Sequence, residues 1–276
     1  MADRLAAMRS NWNKFAVTFT ETANKRMTLQ CAQQLHANMQ LEHATAVLEV
    51  AAGAGLGSLD IARYLSESAA SGSPKSLTVT DFSPVMVGLA HENLKATASG
   101  RLRVQCAEAN ALDLAEIPSS SMDRYISSLT LQLVPDADAM LREAHRVLRP
   151  DGLAGFTIWG QPEHSGMFAI NAAANAELGL EQTGEHSNFA LGSDLEVLRE
   201  RFFRAGFSQV RIWPFLCVVE RWNGREFAEF HQQTFPLEDQ VVRAQRFRVV
   251  ERMADEWLTA KGFPIGLETY LVLAKR

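Results

Sequence analysis

Cysteine is scarce. Cys31, Cys106 and Cys217 are the three in 276 residues, far apart and with no CxxC pair. That argues against a disulfide framework or a thiolate zinc site and makes a reducing compartment the default. Long apolar runs are missing too: none reaches the roughly 20 residues needed to cross a bilayer. The opening stretch MADRLAAMRSNW is broken by Asp3, Arg4 and Arg9, so it lacks the apolar centre of a signal peptide. Positive charge is not in excess. The formal net charge of −5 argues against a dedicated nucleic-acid binder, whose footprint is a basic face. No HExxH or comparable spacing points to a metal, and no internal repeat is visible. What these absences leave is a chain expected to be soluble and cytoplasmic. Its 47% apolar and 21% charged residues suffice for a sizeable core.

What is present alternates. A short apolar run, 46–50, leads into a glycine-rich turn and suits a buried parallel strand. A helix is expected over 58–66, a loop over 71–74, and a second strand over 77–80 that ends in Asp81. Ser83-Pro84 opens a helix with proline at its first position, running to 96. Strands over 101–106 and 123–129, a helix over 136–148, a turn at 149–152 and a strand over 153–159 continue the rhythm. Strands alternating with helices point to an α/β fold with a parallel, doubly wound sheet. Ahead of this core, Leu29, Ala32, Leu35 and Met39 share one helical face. After Gly160, helices are expected over 168–178 and 194–205, the second closed by Gly206. A strand over 208–213, a helical stretch over 224–260 and a last strand over 269–274 complete the chain.

The densest motif is Glu49-Val50-Ala51-Ala52-Gly53-Ala54-Gly55-Leu56-Gly57. Glycines permit positive φ and let a ligand approach the backbone; they equally permit tight strand–helix packing, and the turn alone leaves both readings open. A dinucleotide-binding turn wants G-x-G-x-x-G; Gly53 and Gly55 fit, but Ser58 takes the third place. Glu49, four residues before Gly53, repels a pyrophosphate and attracts a cationic amine. Asp81 ends the second strand, whose carboxyl end lies beside that of the first in an open parallel sheet. Its carboxylate can accept both ribose hydroxyls of an adenosine, or it can cap the next helix, a role equally open to Ser83. Glu108, after the third strand, can accept from an adenine amino group; alone, it is as readily an exposed loop glutamate. Three acids after three successive strands are much harder to dismiss than any one of them.

With VLEVAAGAGLGSLDIA from Val47, TVTDFSPVMVGLA from Thr78, CAEANALDL from Cys106, DRYISSLTLQLVPD from Asp123 and EAHRVLRPDGLAGFTIWG from Glu143, the chain resembles the class I S-adenosylmethionine-dependent methyltransferases. Within them it is similar to the small-molecule branch that includes the ubiquinone/menaquinone-biosynthesis enzymes. The resemblance spans 47–160. It implies a Rossmann-like seven-stranded sheet with an antiparallel last strand and a helical cap insertion. One methyltransferase domain, 1–276, is expected: a helical lid (1–42), a cofactor-binding core (43–160), and a substrate cap with the C-terminal strands (161–276). By the same resemblance Glu49, Ala51, Gly53 and Gly55 hold the methionine end of the cofactor. Asp81 takes the ribose, with Phe82 and Met86 packed near it; Glu108 and Ala109 meet the adenine, and Leu129 lies below the sulfonium. Ala51 stands where a glycine is common, and Gln132-Leu133 where many relatives carry histidines, which leaves the catalytic role unassigned.

Methyl transfer from a sulfonium is an in-line displacement whose activation the cofactor carries. The protein's task is to align the acceptor and exclude water. A base helps a hydroxyl acceptor and is not needed by an amine that arrives neutral. Gln132, after the fourth strand, and Trp159, at the end of the fifth, are expected to face the acceptor, a small molecule. His164 and His231 are the candidate bases, weighed against solvated or cap roles. Phe15 and Phe19 read as a lid or as simple docking of the first segment. Arg243, Arg246, Arg248 and Arg252 read as a solvated helix face, with attraction of an acidic substrate as the alternative. Ser128-Leu129-Thr130-Leu131 stands where base-amine methyltransferases carry Asn/Asp-Pro-Pro-Tyr/Phe, which argues against an RNA or protein methyltransferase. A non-catalytic S-adenosylmethionine-binding partner protein is the other alternative.

Overall fold

The first apolar run forms strand β1 (Ala46–Val50), buried along almost its whole length, as a strand covered on both faces requires. The computed structural model describes residues 2–69, 73–98, 100–180 and 186–276, without the side chains of 2, 23–26 and 69; part of the loop expected over 71–74 falls outside them. Ahead of β1 lie α1 (Ala2–Phe19) and α2 (Leu29–His36). They are joined by a π-helical stretch, Thr20–Thr28, that the apolar spacing did not signal. Thr20 and Thr22 bond their hydroxyls back to the carbonyls of Ala16 and Thr18, at 2.8 and 2.6 Å. Such back-bonding competes with the helical ladder and accompanies a wider turn.

Beyond β1 the elements follow the expected order. They are α3 (Leu56–Ala69), β2 (Lys75–Asp81), α4 (Pro84–Leu94), β3 (Leu102–Glu108), β4 (Met122–Ser128), α5 (Ala137–Val147) and β5 (Leu148–Trp159). Ser83 caps α4 by accepting from Met86 N, and Asp136 caps α5 by accepting from Ala139 N. The turn expected at 149–152 sits inside β5 as a bulge: β4 advances from Met122 to Arg124 while β5 advances from Leu148 to Leu153, with Asp151 at φ 63°. Then come α6 (Gly166–Glu177), α7 (Leu195–Arg204), β6 (Gln209–Val218), α8 (Gly224–Thr234), α9 (Gln240–Lys261) and β7 (Gly266–Lys275). The single helical stretch expected over 224–260 is two helices. Pro236 cannot donate to a continuing helix, and Asp239 restarts one by accepting from Val241 N and Val242 N. β6 continues beyond Trp213 through Pro214, which an edge strand tolerates.

The sheet runs β3-β2-β1-β4-β5-β7-β6, and β1, β2, β3, β4 and β5 are parallel. β7 runs against its neighbours: Arg276 and Gly160 of its pairing with β5 bond to Gly152 and Glu268, while Ser208 and Val219 bond to Lys275 and Ile265. The strand order reverses between β1 and β4, and in such sheets ligands bind at the carboxyl ends beside that switch point. By contacts the chain forms two compact units. The first is Met1–Ile158, Asp194–Trp213 and Tyr270–Arg276; the second is Trp159–Ser193 and Pro214–Thr269. The core of the first unit sits on the sheet, with Leu48, Tyr125, Ile126 and Phe156 fully buried and α5 adding Met140, Leu141, Ala144 and Val147.

Candidate cofactor site

Past β1 the chain turns through left-handed conformations at Ala51, Gly53 and Gly55, with φ of 55°, 57° and 74°. Gly55 N bonds to Ala52 O at 3.1 Å, and Leu59 N to Gly55 O at 3.2 Å, so the turn delivers the chain directly into α3. Glu49, 3% exposed, points its carboxylate under this turn, where the Ser58 hydroxyl donates to it. The serine that breaks the dinucleotide pattern therefore holds the acid that pattern lacks. Gly57 leaves the room: a Cβ there stands 3.2 Å from Glu49 Oε1 and 3.6 Å from the His36 ring. His36 in turn bonds Asp60 through Nδ1 at 3.0 Å. Burial raises the Glu49 carboxyl above the usual range, against the opposing effects of His36 and Ser58, and nearby Asp81 adds to the rise.

Asp81 is oriented by backbone. Its Oδ1 accepts from Ser83 N at 2.8 Å and its Oδ2 from Gly53 N at 2.9 Å. One N–H per oxygen leaves acceptor capacity on both. Desolvation raises this carboxyl too, opposed by the hydrogen-bonded N–H groups of Ser83 and Gly53 and by the nearby N–H of Phe82. Helix α1 closes over the same ground. Ala16, Ala54 and Met86 are packed with Trp12 and Phe19, Trp12 meets Phe19 edge-on at 5.3 Å, and Ser83 donates to Asn13 at 2.6 Å. Opposite, β4 ends where Leu129 takes φ 54°, fixed by Leu129 N bonding to Thr157 O at 2.9 Å. These parts enclose a cavity with about 1030 Å³ of empty space, its open mouth included, at the scale of small-molecule and cofactor sites.

Residues 47–152 match a family model for a methyltransferase domain. The chain is 31% identical over 209 residues to a malonyl-acyl-carrier-protein O-methyltransferase of Laribacter hongkongensis (strain HLHK9), covering 73% of this chain and 63% of that protein. It is 39% identical over 116 residues to a ubiquinone/menaquinone biosynthesis C-methyltransferase of Rhizobium leguminosarum bv. trifolii (strain WSM2304), covering 42% of each. Residues 47–152 carry a methyltransferase domain of the class I S-adenosylmethionine-dependent kind. The chain spans less than two thirds of the length of either curated relative. The fold of this chain is shared with the YcgJ protein from Bacillus subtilis, at TM-score 0.54 and 17% identity, over 90% of this chain and 98% of that one.

S-adenosylmethionine, the family's cofactor, carries a cationic amine, a sulfonium and a ribose diol, and the donor set suits it. Two desolvated carboxylates face the cavity, and Gly53 leaves space there, since a Cβ on it meets nothing nearer than Met86 Sδ at 3.9 Å. Of the residues singled out from sequence, Glu49, Ala51, Gly53, Asp81, Phe82, Met86, Ala109 and Leu129 line this cavity. Gly55 does not. Its missing Cβ lets α4 approach, because a side chain there stands 3.1 Å from Ala90 Cβ. Glu108 does not line the cavity either: its carboxylate is held by Arg9 of α1, and Arg9 also lies 5.7 Å from the Phe82 ring. Gln132 bonds back to Leu129 O at 3.0 Å and is absent from the lining.

Trp159, His164 and His231 belong to the second unit and are not among the lining residues. Trp159 packs with Phe168, Phe189 and His186, at 4.6, 4.8 and 4.9 Å between ring centres. His164 is exposed and bonds Glu268 at 2.9 Å. His231 is 1% exposed, bonds Asn171 Oδ1 at 3.0 Å, and has its pKa pushed down to about 3 by burial and by the charge of Arg246. So weak a base is poorly matched to proton abstraction near neutral pH. Sequence reasoning passed over Trp12 and Asn110, both of which line the cavity. Trp12 had a signal, since it shares helical spacing with Phe15 and Phe19; Asn110 had none.

Proposed function

We propose that this protein transfers the methyl group of S-adenosylmethionine to a small-molecule acceptor, with Glu49 holding the cofactor's amine and Asp81 its ribose hydroxyls. The observation that carries the reading is Asp81, fixed between Gly53 N and Ser83 N with acceptor capacity on both oxygens. Ala51 and Gly53 let the cofactor meet the turn, Phe82 and Met86 flank its ribose and adenine, Ala109 offers the adenine a backbone contact, and Leu129 borders the sulfonium. Bound there, the cofactor supplies a methyl group already activated toward displacement. The chain's own contribution is alignment and exclusion of water, and Met8, Trp12, Phe19 and Leu133 supply an apolar wall for it. Beside the carboxyls of Glu49 and Asp81 and the Trp12 indole, the protic side chains on the wall are Thr28, Ser128, Thr130 and Asn110, so we assign no histidine as base. Residues 1–42 act as the lid and 161–276 supply the acceptor cap. The relative named for ubiquinone/menaquinone biosynthesis supports a small acceptor, and the net charge of −5 speaks against nucleic acid. Among the described residues no helix is long and apolar enough to cross a membrane and no disulfide joins the cysteines, and a cytoplasmic setting fits.

Calorimetric titration with S-adenosylmethionine, NAD and NADP tests the cofactor. S-adenosylmethionine alone should bind. Asp81→Ala, which removes two acceptors of charge-assisted hydrogen bonds, should weaken binding about a hundredfold or more. Tighter binding of a nicotinamide cofactor, or an unaffected variant, overturns the assignment. Formation of S-adenosylhomocysteine with any small acceptor then separates an enzyme from a mere cofactor-binding protein.

A further inference from the structure

The four arginines of α9 do not behave alike. Arg243 and Arg248 are exposed, and Arg252 bridges Glu177 and Glu256 at 2.5 and 2.8 Å. These three form the solvated face that the sequence suggests. Arg246 is 3% exposed. One of its terminal nitrogens donates to the carbonyl of Phe235, which ends α8, as a cation capping a helix C-terminus does. Capping accounts for that nitrogen and no more. The Nε–H is buried with no hydrogen-bond partner. Burial pulls the pKa of the guanidinium down, and the hydrogen bond it makes is to a carbonyl, not to a carboxylate.

Around it three helices of the second unit present a consistent chemistry. His231 on α8, buried and bonded to Asn171 on α6, is held neutral, so it adds no second positive charge. The Phe235 ring lies 4.9 Å from His231 and 5.8 Å from Phe168. An isolated buried guanidinium is costly unless something pairs with it. One cation with one free N–H, set among aromatic rings, matches a singly charged planar anion with an apolar body better than a dianionic phosphate.

We propose that Arg246 anchors a carboxylate-binding site in the second unit, taking a small organic acid whose apolar part packs against Phe235 and Phe168. The site does not depend on the methyl-transfer reading, and its test needs no S-adenosylmethionine. The full chain is titrated by calorimetry with benzoate, phenylacetate and hexanoate at constant ionic strength, each against its uncharged amide. His231 is followed in parallel by NMR. At least one acid should bind about tenfold or more tightly than its amide, and Arg246→Met should abolish the difference. Saturation at pH 7, where the acids are ionised, should shift the NMR resonances of the His231 ring and of the Arg246 Nε–H; a general salt effect leaves them where they are. No binding by any acid, equal binding of acid and amide, unmoved His231 and Arg246 resonances, or wild-type affinity in Arg246→Met each overturns the site. Should Arg246→Met not fold, the acid–amide comparison and the resonance shifts in the wild-type chain decide.

Discussion

Glu49 and Asp81 reach one cavity with carboxyls that desolvation lifts above their usual range, and the sign of that shift has two opposite consequences. A carboxyl whose pKa is higher folded than unfolded favours the fold in its protonated form. That contribution is present below the unfolded pKa and lost as the pH rises through the folded one. At neutral pH these acids therefore strain the ligand-free protein, and they attract a cation that relieves them. Glu49→Gln keeps an oxygen for the Ser58 hydroxyl and removes the charge. It should raise the melting temperature of the ligand-free protein by roughly 2–4 °C while weakening S-adenosylmethionine about tenfold. Thermal melts and calorimetry on the same preparations check both halves, and a lower melting temperature would contradict the desolvation argument. The neighbouring acid Glu108 had a similar claim in sequence, yet its carboxylate is turned to Arg9. Strand position alone does not settle where a terminal side chain points.

At the level of elements, the turn between β1 and α3 divides its labour between two glycines that look alike in sequence. Both have positive φ, so alanine at either is strained by about 1–2 kcal/mol. Gly55 in addition lies against α4, where a Cβ stands 3.1 and 3.2 Å from Ala90, and overpacking adds about 1–3 kcal/mol. Gly53 faces the cavity with open space beside it. Gly55→Ala should thus lose clearly more stability in urea titrations than Gly53→Ala. Gly53→Ala should show the larger loss of S-adenosylmethionine affinity relative to its loss of stability. Equal effects of the two on both measures would mean that the turn acts as one unit. The existence of the turn was legible from its glycines and from the strand before it; which glycine packs and which opens to a ligand depends on Ala90, thirty-five residues further along.

For the whole molecule the same reasoning gives a pH dependence carried by the second unit. His231, with a pKa near 3 folded and about 6.5 unfolded, takes up a proton on unfolding throughout the interval between. Its contribution to stability is complete above the unfolded value and is lost as the pH falls toward the folded one. Between pH 7 and pH 5 this amounts to about 2 kcal/mol. Asp60, Asp123 and Glu143, with lowered pKa values, act at lower pH, and the raised carboxyls act in the opposite sense. His145 and His186, their pKa values also lowered by burial, act in the same interval, so the test is a difference: urea titrations at pH 7 and 5 should show a larger loss in the wild-type chain than in His231→Gln. Equal losses in both would place the acid sensitivity elsewhere.

Local rules settled much of this protein in advance. The α/β alternation, a cap at Ser83, the closing Gly206 and the two carboxylates at the ends of β1 and β2 follow from period, capping chemistry and strand adjacency, all short-range physics. What spacing could not decide were the quantities set by neighbours distant in sequence. Arg246 shares helix α9 with three solvated arginines, yet only packing among α6, α8 and α9 leaves its charge buried and its Nε–H without a partner. Burial and electrostatic environment are sums over everything folded around a group, and for Arg246, His231 and Glu108 those sums exist only once the chain has folded.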